Sequence, residues 1–416
     1  MLSSRSWVQS ANESSCGFPL ANLPCGVFTN PDGTARCAVA IGNALLDVTG
    51  LEAAGLLRLP GGARLQGGAW NDHMAAGPLA WAALRARLTA LLREGAPERA
   101  AVEPHLRPLA GARLVLPFRV AEFTDFYAGR AHALAVGAML RGAADALPPA
   151  YDHLPIGYNG RASSVVVSGT PVRRPWGLAW PEGAEGPAWR PTRRLDFELE
   201  LGAVVGTPSA GPVTVAEAEA MIFGYVLLND WSARDVQAFE YVPLGPFQAK
   251  AFATTISPWI VTAAALRPFR APLPPREVAP HLRDEGPGLL DLRLAASLSP
   301  EGEGETTLAR ADARALHWSF AQMLAHHASS GCPMRTGDLL GSGTVSGPEP
   351  GAQGCLLEIT RGGQEPVAVA GGRRAFLLDG DTVTLRGQAG RDGVRLGFGD
   401  CAGTVLPALA DPFARG

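Results

Sequence analysis

The chain has 416 residues, is 47% hydrophobic and 18% charged, and carries a formal net charge of -3. That balance is globular, the length fits two or three domains, and the near-neutral charge gives no support for a nucleic-acid or membrane-surface partner. Six isolated cysteines (Cys16, Cys25, Cys37, Cys332, Cys355 and Cys401) form no CxxC pair, which argues against zinc ribbons and a disulfide scaffold and fits a cytoplasmic location.

The first unit is expected over residues 1–114. Within it Cys37–Val48 reads as two strands around a Gly42-Asn43 turn, and an amphipathic helix follows that ends at Gly95. The second unit, residues 115–416, is rich in short strands. SSVVVSG (163–169) is apolar and β-branched, LDFELELGAVVG (195–206) alternates, and AMIFGYVLLND (220–230) runs apolar into polar residues. LLEIT (356–360) also reads as a strand. Helices are expected in TDFYAGRAHALAVGAMLR, ARDVQAFEYV and LHWSFAQMLAHHAS. The Pro-rich stretch 266–280 is expected at the surface, since Pro does not serve inside central strands. Gly341–Gly347 (GSGTVSG) has no Lys and reads as a tight loop that exposes backbone N–H groups and the Thr344 hydroxyl. Neither a secretory signal nor an apolar run of membrane-spanning length is present.

Alternation in 195–206 puts Asp196, Glu198 and Glu200 on one strand face, opposite Phe197, Leu199 and Leu201. A solvated acidic face and a cation site are both open readings of that pattern. Asp230 at the end of the next strand, with Asp125 as a further oxygen donor, favours a hard divalent cation such as Mg²⁺ or Ca²⁺, because clustered carboxylates otherwise repel. Arg234, Gln237 and Tyr241 share one helical face, and Lys250, the only lysine in the chain, follows in a returning loop. Arg, Gln and Lys beside a carboxylate cluster suit an anionic substrate and developing oxyanion charge. His132 is a candidate general base with Glu358 as its acidic partner. The adjacent pair His326-His327 is an alternative, of which a helix would point only one at any given site.

The stretches NLPCGVF (22–28), TDFYAGRAHA (124–133), LPIGYNGRASSVVVSGTPVRRPWG (154–177), LDFELELG, NDWSARDVQAFEYVPLGPFQAKAFATTISPW, GDLLGSGTVSGPEP and DGVRLGFGDCAGTVLPAL resemble the fumarylacetoacetase family over nearly the whole length. The resemblance implies a mainly β fold with some α. It pairs a small SH3-like N-terminal β-barrel with a large mixed β-sandwich or β-roll domain, usually in a homodimer. It implies Mg²⁺ or Ca²⁺ on Asp125, Glu198, Glu200 and Asp230, with Thr254 near a second cation and Lys250 beside the metal set. His132 with Glu358 would form the base, and Arg234, Gln237 and Lys250 would handle oxyanion and leaving-group charge. Tyr127, Arg141, Tyr158, Tyr241 and Thr344 would bind a small-molecule β-diketo acid. The implied reaction is hydrolysis of the carbon–carbon bond of 4-fumarylacetoacetate. An acylpyruvate or fumarylpyruvate hydrolase and a non-catalytic metal-binding protein on the same fold are the rival readings. Asn159 departs from the family pattern, where His is common.

Overall fold

The computed structural model describes residues 4–414 except 285 and 412. Its largest sheet has 13 strands and runs through both halves of the chain. The N-terminal strands Cys25–Thr29, Ala35–Ile41, Ala44–Asp47 and Leu106–Pro108 form an antiparallel meander. Gly42 takes φ 60 at the tight turn, where a side chain would be strained and would press on Ser10 and Ala11. The helix Pro78–Leu92 packs Leu84, Leu88, Leu91 and Leu92 inward.

The expected SH3-like β-barrel does not form: among the described residues no sheet closes on itself. The strand Cys25–Thr29 instead spends its second edge on the C-terminal half, with Cys25 opposite Ile260 and Gly26 opposite Trp259. An edge paired across the domain boundary cannot also close a small barrel. Gly26 permits this approach, since a Cβ there would run into the Trp259 ring. The N-terminal meander is thus an extension of the C-terminal half's sheet, and the fold is a mixed α/β one.

From Trp259–Thr262 the sheet continues through Ile222–Asp230, Leu199–Val205, Leu339–Gly341, Phe123–Phe126 and Gly157–Asn159. A second sheet holds Thr306–Asp312, Arg293–Ser299, Thr382–Arg391 and Cys401–Leu406. The two sheets share one core, in which Leu201 and Leu227 of the first join Leu294 and Leu385 of the second. Each such leucine contributes roughly 1.5–3 kcal/mol when fully removed from water. In Leu199–Val205 the odd-numbered residues enter this core, while Val204, on the opposite face, joins a core shared with the N-terminal half. Both faces are therefore covered, and the carboxylate on the even face is carried inside the molecule rather than into solvent.

Candidate active site

Three strands of the large sheet, with a fourth between two of them, bring the acidic residues to one place. Asp125 lies opposite Gly341 on one side and Tyr158 on the other. Gly341 also faces Gly202, two residues past Glu200. Asp230 ends its strand opposite Thr254. Glu198 sits just before the strand Leu199–Val205, with its N–H donated to the Asn229 side chain at 3.0 Å. One carboxylate oxygen from each of Asp125, Glu198, Glu200 and Asp230 lies within 4.8 Å of the others, and all four residues are buried. The solvated-face reading of the acidic alternation is thereby excluded.

Electrostatics within the cluster are strained without a cation. Burial and the Asp230 charge push the Asp125 carboxyl up to about 8. Burial, then Asp125, raises Glu200 well above the usual carboxylate range. Burial raises Asp230 as well, against the pull of Lys250. Glu198 goes the other way: burial would raise it, but Lys250 and Arg234 together outweigh that and hold it low. Lys250 Nζ bonds Glu198 Oε2 and lies 3.0 Å from Asp230 Oδ2, and those two charges outweigh burial and keep the ammonium charged. One lysine cannot neutralise four carboxylates. Both oxygens of Glu200 are buried without a hydrogen-bond partner among the described residues. A set of oxygen donors with an orphaned carboxylate fits a hard divalent cation. Gly341 makes the room, since a Cβ there would overlap Asp125 Oδ1 and lie 3.2 Å from Glu200 Oε2.

The cluster borders a cavity of about 410 Å³. Asp125, Glu198, Lys250, His132, Arg234 and Gln237 line it, as do Tyr127, Arg141, Tyr158, Tyr241 and Thr344. Glu200, Asp230, Thr254 and Glu358 stand behind that wall. Thr254 Oγ1 and Tyr158 Oη donate to the two oxygens of Asp230 at 3.1 and 3.0 Å. His132 Nδ1 lies 2.6 Å from Glu358 Oε2, which leaves Nε2 as the nitrogen available for proton transfer. Burial would raise Glu358, but His132 outweighs it and holds the carboxyl low. Arg234 gives Nε to Asp196, and its Nη1 reaches both Glu198 Oε1 (2.7 Å) and Gln237 (3.0 Å). Its Nη2 is buried with no partner among the described residues, as is Thr344 Oγ1. Arg141 is exposed at the cavity wall and donates to the carbonyls of Asp145 and Ala146.

The fumarylacetoacetate hydrolase C-terminal family model matches residues 122–406, and the fumarylacetoacetase N-terminal model matches residues 21–117. The chain belongs to the fumarylacetoacetate hydrolase family. A fumarylacetoacetase of Aspergillus fumigatus is 46% identical over 97% of this chain and 99% of its own length. One from Caenorhabditis elegans is 45% identical over 94% of this chain and 97% of its own. A fumarylacetoacetate hydrolase structure from psychrophilic Exiguobacterium antarcticum shares the fold, with TM-score 0.54 at 17% identity over 92% of this chain and 99% of that one. Membership of the family at this identity makes the chain an enzyme, a hydrolase of the fumarylacetoacetase type.

The geometry corrects one expectation and removes one alternative. Glu358 is carried by a short helix, Leu356–Ile359, and not by a strand. The Asp196 carboxylate accepts the Leu356 and Leu357 N–H groups and so fixes that helix start, a long-range contact invisible in LLEIT itself. The His326-His327 alternative drops out, because His327 Nε2 lies 2.8 Å from Thr124 Oγ1, His326 Nδ1 lies 3.0 Å from His281 Nε2, and neither lines the cavity. Asn159 is exposed, on the strand residue beyond Tyr158.

Three side chains behind the site were not singled out from sequence. The alternation puts Asp196 on the acidic face and gives it no role. Ser346 Oγ donates to Glu358 Oε2 at 2.8 Å, and the Cys355 thiol does so at 3.2 Å. Ser346 lies two residues past Thr344 and Cys355 lies one helical turn before Glu358, which is the only local signal either offers.

Proposed function

We propose that the chain hydrolyses the carbon–carbon bond of 4-fumarylacetoacetate to fumarate and acetoacetate, the last step of tyrosine and homogentisate breakdown. The observation that carries this reading is a cavity bordered by a buried four-carboxylate cluster, a His–Glu pair and an arginine nitrogen without a partner among the described residues. Asp125, Glu198, Glu200 and Asp230 would hold Mg²⁺ or Ca²⁺, with Thr254 and Lys250 fixing their free oxygens. A bound divalent cation supplies Lewis-acid polarisation of the diketone oxygens.

The remaining chemistry belongs to the chain. His132 Nε2 takes a proton from water, while Glu358 holds the ring and offsets the imidazolium charge. The resulting hydroxide adds to the C4 carbonyl. Arg234, through Nη2, with Gln237 and Lys250, stabilises the alkoxide and then the departing acetoacetate carbanion. The bond breaks with its electron pair on acetoacetate, and the proton held by His132 goes to that carbon. Tyr127, Arg141, Tyr158, Tyr241 and Thr344 orient the diketo acid in the cavity.

We also propose a domain division at 114–115; the N-terminal family model ends nearby at residue 117 and the C-terminal one begins at 122. We assign a homodimer as well. Its support is a set of exposed apolar side chains, with Trp180 packed on Phe239 and Leu244 and Phe247 exposed in the loop beside the cavity. Six unpaired cysteines support a cytosolic setting, and among the described residues no helix is long and apolar enough to cross a membrane.

The deciding assay follows absorbance loss of fumarylacetoacetate after EDTA treatment and again after Mg²⁺, Ca²⁺ or Mn²⁺ is restored. Activity should vanish and return. Full activity in metal-free protein would overturn the metal reading, and faster cleavage of fumarylpyruvate would favour the acylpyruvate class.

A further inference from the structure

We infer that Asp196 is a positioning residue that locks the two halves of the catalytic apparatus to each other. This inference rests on the proposed hydrolysis and adds a residue to it. Asp196 is wholly buried and does not line the cavity. It cannot touch the substrate, so any effect on the reaction passes through its partners.

Its carboxylate is saturated. Oδ1 accepts the N–H of Phe197 at 2.9 Å and of Leu356 at 2.7 Å. Oδ2 accepts Arg234 Nε at 2.9 Å and the N–H of Leu357 at 2.9 Å. Four bonds use all the lone-pair positions of a carboxylate. Two of them pin the first turn of the helix that carries Glu358, and through Glu358 the ring of His132. A third pins the guanidinium of Arg234. With Nε held by Asp196 and Nη1 by Glu198 and Gln237, the planar fork has one remaining orientation, and Nη2 is its unspent donor. One carboxylate therefore sets both the proton-transfer pair and the oxyanion donor, which come from segments some 120 residues apart in sequence.

The arrangement requires an anion. An amide in the same place presents its NH₂ either to the Phe197 and Leu356 N–H groups or to Arg234 Nε and the Leu357 N–H, so one set of donors loses its acceptor whichever way it turns. Ser346 and Cys355 bond Glu358 but make no bond to Arg234, so they cannot substitute for this link.

The test is Asp196→Asn in the metal-loaded enzyme, combined with Glu358→Gln in one double-mutant cycle and with Arg234→Lys in another. For Asp196→Asn, kcat should fall by about 100-fold, the size of a lost oxyanion donor, with KM and metal affinity within about threefold of the parent. In both cycles the double variant should be little worse than the more damaged single one, because groups acting as a unit lose activity non-additively. A kcat within threefold of the parent, or losses that multiply fully in both cycles, would overturn the inference. Should Asp196→Asn not fold, Asp196→Glu keeps the charge but displaces the carboxylate, and the same cycles decide. All rates are read relative to the parent on the diketo acid that the parent cleaves. A parent inactive on fumarylacetoacetate would therefore count against the substrate and leave Asp196 to be judged on its own.

Discussion

Lys250 is the one place in this chain where arginine did not serve, and its surroundings give the reason. Its ammonium is wedged between Glu198 and Asp230, two members of the carboxylate cluster, in a buried space next to the Arg234 guanidinium. A compact charge fits between two such oxygens where a planar fork does not. We expect Lys250→Met to fold and bind a cation yet lose at least about 100-fold in kcat, in line with loss of a charge stabiliser. Turnover within threefold of the parent would remove Lys250 from the mechanism. Lys250→Arg should also be severely impaired, and full activity in that variant would show that shape is immaterial.

At the level of elements, the site depends on strands that approach one another without side chains in between. The short strand Leu339–Gly341 runs between the Asp125 strand and the Glu200 strand, and Gly341 lies where their carboxylates converge. Gly341→Ala should leave the sheet intact and weaken divalent-cation binding by roughly 10–100-fold, the range seen when the support of metal ligands is disturbed. Titration calorimetry of the metal-free variant reads this directly, and an unchanged affinity would mean that the cation sits away from the Asp125–Glu200 side. The helix Leu356–Ile359 shows the opposite dependence. Four residues are too few to make a stable helix alone, so its start is set by Asp196 and its chemistry by Glu358.

For the molecule as a whole, the cluster links metal, pH and stability. In the metal-free fold Asp125 is raised to about 8, and Glu200 and Asp230 are raised as well. Carboxyls raised above their unfolded values near pH 4 stabilise the fold while protonated. That contribution is complete below about pH 4 and is lost as pH rises through the folded values, up to about pH 8 for Asp125. A cation needs the ionised carboxylates, so its affinity rises over the same interval. The increase in Tm produced by saturating Mg²⁺ or Ca²⁺ over EDTA should therefore grow from about pH 5 to about pH 8. A gain that stays flat or shrinks across that range would show that the raised carboxyls are not the ligands.

Much of this protein was legible residue by residue. The period-two pattern in LDFELELG puts Glu198 and Glu200 together, the apolar run IFGYVLLND at 222–230 ends on Asp230, and the Arg234–Gln237 spacing gives one helical face, all because strand and helix geometry are local. The pairing of His132 with Glu358 has only a weak local signal, since 226 residues separate them, and the family resemblance adds to it. Tertiary structure alone decided three matters. The N-terminal strands joined the catalytic sheet instead of closing a barrel, because Cys25 and Gly26 found partners at Ile260 and Trp259. The acidic face turned inward because both faces of its strand were covered. Asp196 became a clamp because folding brought the Arg234 guanidinium and two backbone N–H groups to a carboxylate that its own neighbourhood in sequence would have left to water.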